Sequence, residues 1–183
     1  MPSTPTHALR YPVLGDAPNV PLDIQRLAED VERELTEMDA LLITAQEEAP
    51  HYANVRPSAT QNIANNSAVV ITFGTNDGSN GMTVNLAAGT VTATKAGVYV
   101  VAASINFAAN STGVRTATIL ISDSSKAANA IGGFTGGYNV PAVAWTGYLA
   151  VGATVSLQAT QTSGGTLATG PVDRTFLSVA RVA

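Results

Sequence analysis

Any chemistry in this chain would start from two histidines, His7 and His51, and three acids in a region otherwise almost free of charge, Asp77, Asp123 and Asp173. A serine or threonine nucleophile needs a base beside it, and neither histidine falls among the strand-like segments where hydroxyls abound. Cysteine is absent, which removes thiolate catalysis, thiolate metal sites and disulfides together. Two of the three acids flanking a sugar would make a glycosidase pair. No aromatic platform flanks them, however, and turn-forming aspartate accounts for all three. The stretch GTNDGSNG from Gly74 offers Asn76, Asp77 and Asn80 as oxygen ligands, but it lacks the spaced acids and closing glutamate of a tight calcium loop and reads as a Gly-rich turn. No glycine loop runs on into Gly-Lys-Ser/Thr, so nothing cradles a phosphate. Asn65-Asn66-Ser67 and Asn110-Ser111-Thr112 match the glycosylation pattern but read as polar turns. The expectation is a chain without catalytic, metal or cofactor residues, one that works by binding.

The elements that would position a binding surface follow from a sharp division of charge. Residues 1–56 hold ten of the thirteen acids and four of the nine bases, leaving a body of low charge behind a boundary at Pro50 to Pro57. The net charge of -4, with no cluster of lysine or arginine, argues against nucleic acid as a partner. The first twenty residues lack the apolar segment of a secretory signal, and no run approaches eighteen consecutive apolar residues. A soluble product made in a cytoplasm, with no membrane insertion, is therefore expected.

Residues 1–20 are proline-punctuated, and Leu9, Tyr11, Val13 and Leu14 are more apolar than a solvated linker needs, which suggests an extended arm that orders against a partner protein. Residues 21–49 form the clearest helix. Pro21 suits its first position, Asp23 its N-terminal dipole and Pro50 its end, with Arg26/Asp30, Glu29/Arg33 and Arg33/Glu37 placed as i,i+4 pairs. Ile24, Leu27, Val31, Leu35, Met38 and Leu42 recur on average every 3.6 residues, a narrow straight stripe suited to a small parallel bundle of identical helices. Residues 50–57 read as a linker.

Residues 58–183 alternate short strand-like runs with turn clusters. Expected strands are 67–73, 82–86, 90–94, 98–107, 115–122, 143–151, 154–160 and 174–182, separated by GTNDGSNG, NSTG, SDSSKAAN, GGFTGG and TSGGTLATGP. Alternation places Val69, Ile71, Ile119, Ile121, Trp145, Leu149, Val151, Val155, Leu157 and Phe176 in the core. The run KAGVYVVAASINF is apolar on both parities: Tyr99, Val101, Ala103, Ile105 and Phe107 on one, Val98, Val100 and Ala102 on the other. One face meets the sandwich interior and the other a second copy of the chain or a covering loop, with Ser104 and Asn106 marking where water begins. Parity does not say which face is which.

The order NIANNSAVVITFGT, AGVYVVAASINF, STGVRTATILIS, GYLAVGATVSLQA and RTFLSVARVA resembles the C1q/TNF-like jelly-roll domains over about 125 residues. Gly97 and Tyr99 opening the long strand, the spacing Leu149, Gly152, Val155, Leu157 and the closing Phe176-Leu177 are its most specific pieces. The resemblance implies a mainly β sandwich and homotrimers joined along an axis by one sheet of each jelly roll. It departs from the complement members in having a helix where they carry a collagen stalk, and Ala153 where an aspartate is expected. More loosely, ALRYPVLGDAPNVPLDIQRLAEDVE is similar to the N-terminal regions of minor tail or virion-surface proteins in phages of actinobacteria. Together these imply a virion protein: a homotrimeric fibre attached through residues 1–20 to another virion protein, its head exposed to a cell-surface glycan. A capsid decoration or head fibre, and a free carbohydrate-binding module, are the alternatives.

Overall fold

In a computed structural model, residues 20–47, 50–169 and 172–183 are described. The chain divides into two compact units, 1–49 and 50–183. In the first, α1 (Val20–Glu47) is one uninterrupted helix. Arg33 reaches back one turn to Asp30 at 3.0 Å rather than pairing with Glu29 or Glu37; the Glu29 carboxylate instead accepts a hydrogen bond from Gln25.

The second unit is a two-sheet sandwich. Five strands, β1 (Tyr52–Arg56), β4 (Thr75–Asn80), β7 (Gly97–Ser104), β10 (Ala142–Leu149) and β13 (Phe176–Arg181), form one sheet in the order β10-β7-β13-β1-β4. The other sheet runs β5-β6-β11-β8-β9, built from β5 (Met82–Asn85), β6 (Thr90–Ala93), β8 (Asn110–Ile121), β9 (Ser124–Phe134) and β11 (Thr154–Gln161), with the short β3 (Val69–Val70) also paired to β11. A small ribbon joins β2 (Asn62–Ile63) to β12 (Leu167–Ala168), and a 3-10 turn, Val172–Arg174, precedes the last strand. All the ladders are antiparallel.

The interior is made by alternate residues of both sheets, as period-2 side-chain geometry requires. Ala53, Val55, Tyr99, Val101, Ala103, Leu177 and Val179 face Val91, Ala93, Ala117, Ile119, Val155, Leu157 and Ala159, each at most 1% exposed. Trp145 lies on the same inward face opposite Val101 and packs against this core, its indole laid across Gly147, where a side chain would collide with the ring. At Gly97 an added Cβ would meet the Ala183 carbonyl oxygen, so the strand can start beside the chain end only without a side chain.

Several segments differ from the sequence expectation. The supposed linker 50–57 contains β1, which lies between β13 and β4 within its sheet. GTNDGSNG is the edge strand β4, with the Asp77 carboxylate held by Arg56 at 3.0 Å. Of the segment SDSSKAAN, only Ser122 and Asp123 turn. Both have positive φ, the signature of a two-residue type I′ hairpin, and the chain continues directly into the eleven-residue β9. Edge strands such as β4 and β9 take their stability from backbone pairing to one neighbour and expose most side chains, so they carry little apolar alternation. Val151 is 66% and Phe176 39% exposed, so neither is core: the first lies in the β10–β11 turn and the second on the outward side of β13. Ser104 and Asn106 do not mark a water boundary. They are 4% and 0% exposed, because the Ser104 hydroxyl donates to the Arg174 carbonyl and the Asn106 N–H to Thr175 Oγ1.

Candidate functional site

The two apolar parities of β7 are now distinguished. Tyr99, Val101 and Ala103 belong to the sandwich interior, along with Ile105 and Phe107 beyond the strand end. Val98, Val100 and Ala102 point the other way, in register with Tyr148, Thr146 and Ala144 on β10, while Ser178 and Ala180 of β13 flank Ala102 and Val100 from the opposite side. Phe176 extends this surface beside Ser104. The outward face across β10, β7 and β13 carries no charged residue, and Val100, Tyr148 and Phe176 are 38%, 67% and 39% exposed. Of the residues assigned to core or subunit contact, Tyr99, Val101, Leu149 and Leu157 are core, Trp145 packs against the core, and Val98, Val100 and Phe176 lie on this uncovered face.

The helix carries a second uncovered apolar surface. Ile24, Leu27, Val31, Leu35, Met38 and Leu42 are between 41% and 63% exposed, all six on one stripe. The arm residues Leu9, Tyr11, Val13 and Leu14 lie outside the described residues.

At the end of the sandwich opposite the entry of the chain at Tyr52, a set of buried polar side chains pins the loops. Arg115, Gln161, Asn139, Asn106, Thr169 and Thr175 are each at most 3% exposed. The Arg115 guanidinium donates to the carbonyls of Asn110, Thr112 and Val114 at 2.8–3.2 Å, while its Nε–H has no partner among the described residues. Burial pushes its pKa down. Gln161 donates to the carbonyls of Ile63 and Gly165 and accepts from Ser163 N–H, tying two loops to β11. Asn139 accepts from Phe134 N–H at 2.7 Å and donates to the carbonyls of Phe134 and Ala108, at 2.9 and 3.2 Å. Phe134, which ends β9, and Tyr138, in the loop to β10 that Asn139 closes, expose their rings, at 58% and 55%. The Arg174 guanidinium sits 4.0 Å from the Tyr138 ring centroid, a cation–π contact. The segment GGFTGG, expected as a turn cluster, instead ends β9 at Phe134 before the loop begins. The signal for the exposed rings was there in two aromatics separated by glycines too small to cover them.

The three acids are not brought together. Asp123 follows β8 at the end where Ile121 pairs with Val155, whereas Asp173 immediately precedes β13, whose Phe176 pairs with Ser104 at the opposite end. Asp77 is held by Arg56 on an edge strand. Asp123 and Asp173 therefore do not flank one site as a glycosidase carboxylate pair would. Among the described residues, no three His, Asp or Glu side chains cluster as metal ligands.

No protein-family model matches the chain, and no curated protein matches it by sequence. Solved structures do match. Eiger TNF from S. frugiperda superposes with a TM-score of 0.58 at 13% identity, covering 73% of this chain and 93% of that one. Murine APRIL gives 0.56 at 14% identity, covering 73% and 99%. The globular domain of zebrafish complement 1qA protein gives 0.55 at 11% identity, covering 73% and 98%. The fold is thus a C1q/TNF-like jelly-roll sandwich preceded by one α-helix.

Proposed function

We propose that this chain is a structural protein of a tailed-phage particle, a homotrimeric fibre or spike. Residues 1–20 dock it on another virion protein, α1 forms a short three-helix stalk, and the jelly-roll head is presented to a cell-surface glycan. The observation that carries the proposal is the pair of apolar surfaces a single chain leaves open, the Ile24–Leu42 stripe and the Val98/Val100/Phe176 face. Apolar patches of this kind on separate elements call for a partner, and identical copies supply one for both at once. The similarity to TNF and C1q structures supports self-association, and the N-terminal resemblance to phage tail proteins supports the particle. The work of the head is binding: three identical weak contacts gain from effective concentration on a repetitive surface.

Light scattering on the intact protein should give three times 18.7 kDa; a monomeric mass ends the trimer reading. Low-resolution imaging of particles with the head labelled tests the location. Label on the tail supports the fibre, label at capsid vertices or capsomer centres replaces it with a head fibre or decoration protein, and absence from particles leaves a free carbohydrate-binding module. Deleting residues 1–20 should abolish incorporation while leaving the head folded.

A further inference from the structure

We propose that the glycan contact is made by the β9–β10 loop, with Phe134 and Tyr138 as stacking platforms for the C–H face of a pyranose and Arg174 as the hydrogen-bond donor beside them. This deepens the glycan-binding reading above and rests on it.

The rings are displayed by construction. They lie four residues apart and each keeps more than half its surface in water. Gly132, Gly133, Gly136 and Gly137 surround them and add no side chain that could cover a ring. A Cβ at Gly136 would stand 2.8 Å from Phe134 Cζ, so the loop backbone passes close to that ring. Collapse of the loop onto the core is opposed by Asn139, which is 1% exposed and bonded to both backbone groups of Phe134. Its own carbonyl accepts from Phe107 N–H at 2.9 Å, anchoring the loop to the core strand. Two apolar rings held rigidly in solvent lose hydrophobic stabilisation in the free protein. That arrangement suits a ligand that stacks on aromatic faces, and rigid aromatic platforms bind with little loss of side-chain entropy.

Arg174 points to the ligand class. Its guanidinium stacks on one side of Tyr138 and brings N–H donors next to the ring, where they can donate to the hydroxyl oxygens of a sugar. The neighbouring Asp173 offsets the Arg174 charge at the surface, and Arg115, the other cation at this end, is fully buried, which favours a neutral glycan over a polyanion. Each contact is small, and triplication by the trimer makes it useful.

The test uses the intact protein and soluble oligosaccharides: β-1,4-linked N-acetylglucosamine, galactan and mannan fragments, with a heparin fragment as the polyanion. Saturation-transfer NMR identifies binding and titration calorimetry measures it. Wild type should bind at least one neutral oligosaccharide. Phe134→Ala and Tyr138→Ala should each weaken it at least tenfold and Arg174→Gln severalfold, with trimer mass and unfolding midpoint unchanged. If wild type binds and the ring variants bind equally well, this site is wrong while the glycan reading stands. If wild type binds none, both fall. Preference for heparin overturns the neutral-glycan assignment, and a change of mass in Phe134→Ala makes the ring a subunit contact and overturns the site.

Discussion

Asn139→Ala gives the most direct measure of how the far-end loop is held. The side chain is 1% exposed and makes three hydrogen bonds, to Phe134 N–H and to the Phe134 and Ala108 carbonyls, at 2.7, 2.9 and 3.2 Å. Removing it leaves three part-buried backbone groups without those partners. At a net of about 1 kcal/mol per bond, the loss is about 3 kcal/mol, with little offsetting gain because the cavity is polar. For a slope of about 2 kcal/mol per molar urea, typical of a small domain, the unfolding midpoint should fall by about 1.5 M. The assay is urea denaturation followed by circular dichroism at fixed protein concentration, since association also contributes to the apparent stability. Asn139→Asp sharpens the result. It keeps the acceptor for Phe134 N–H but sets a carboxylate against two carbonyls, so at neutral pH it should be worse than alanine. Its folded-state pKa would be raised by that environment, so stability returns as the pH falls and the carboxyl gains a proton to donate. A midpoint shift below about 0.3 M for Asn139→Ala, or an Asp variant as stable as wild type at neutral pH, refutes the argument that this side chain organises the loop.

Val100→Asp places a charge on the uncovered face opposite Thr146 and Ala180; light scattering should show dissociation while circular dichroism keeps the sandwich signal, and an intact trimer would move the contact elsewhere. Leu27→Glu with Leu35→Glu should loosen the stalk and lose helical signal while the head still unfolds at its usual midpoint, because both side chains are exposed in the single chain at 44% and 56%. Tyr99→Phe removes a 2.7 Å bond from the buried phenol to the Lys95 carbonyl and should cost about 1 kcal/mol in urea denaturation. Burial raises the Tyr99 pKa, with Arg181 pulling the other way. The stability this group contributes is therefore complete below the ordinary tyrosine range and is lost as pH rises through the raised value. Wild type should show an alkaline stability loss that Tyr99→Phe lacks.

The sequence by itself determined the elements whose side chains carry a period. The helix, its six-residue stripe and its separation from a β body were legible because an exposed apolar stripe at 3.6-residue spacing needs no knowledge of the rest of the chain. The two apolar faces of β7 and the eight strands with apolar runs were legible for the same reason, and the turn at Gly152, with φ at +83°, came from glycine chemistry alone. Tertiary structure decided what depends on neighbours distant in the chain. Which parity of Val98–Ala103 is interior was set by the second sheet covering Tyr99, Val101 and Ala103, and no local pattern contains that fact. Strands β1 and β4 exist because backbones distant in the chain offer them ladder partners, so polar or small side chains did not prevent pairing. The burial of Arg115, Gln161 and Asn139 reads as surface polarity in sequence and becomes loop anchorage only where folding brings orphan carbonyls within reach. That anchorage holds Phe134 and Tyr138 out in solvent, a placement that depends on long-range hydrogen bonds and so left no periodic trace in the chain.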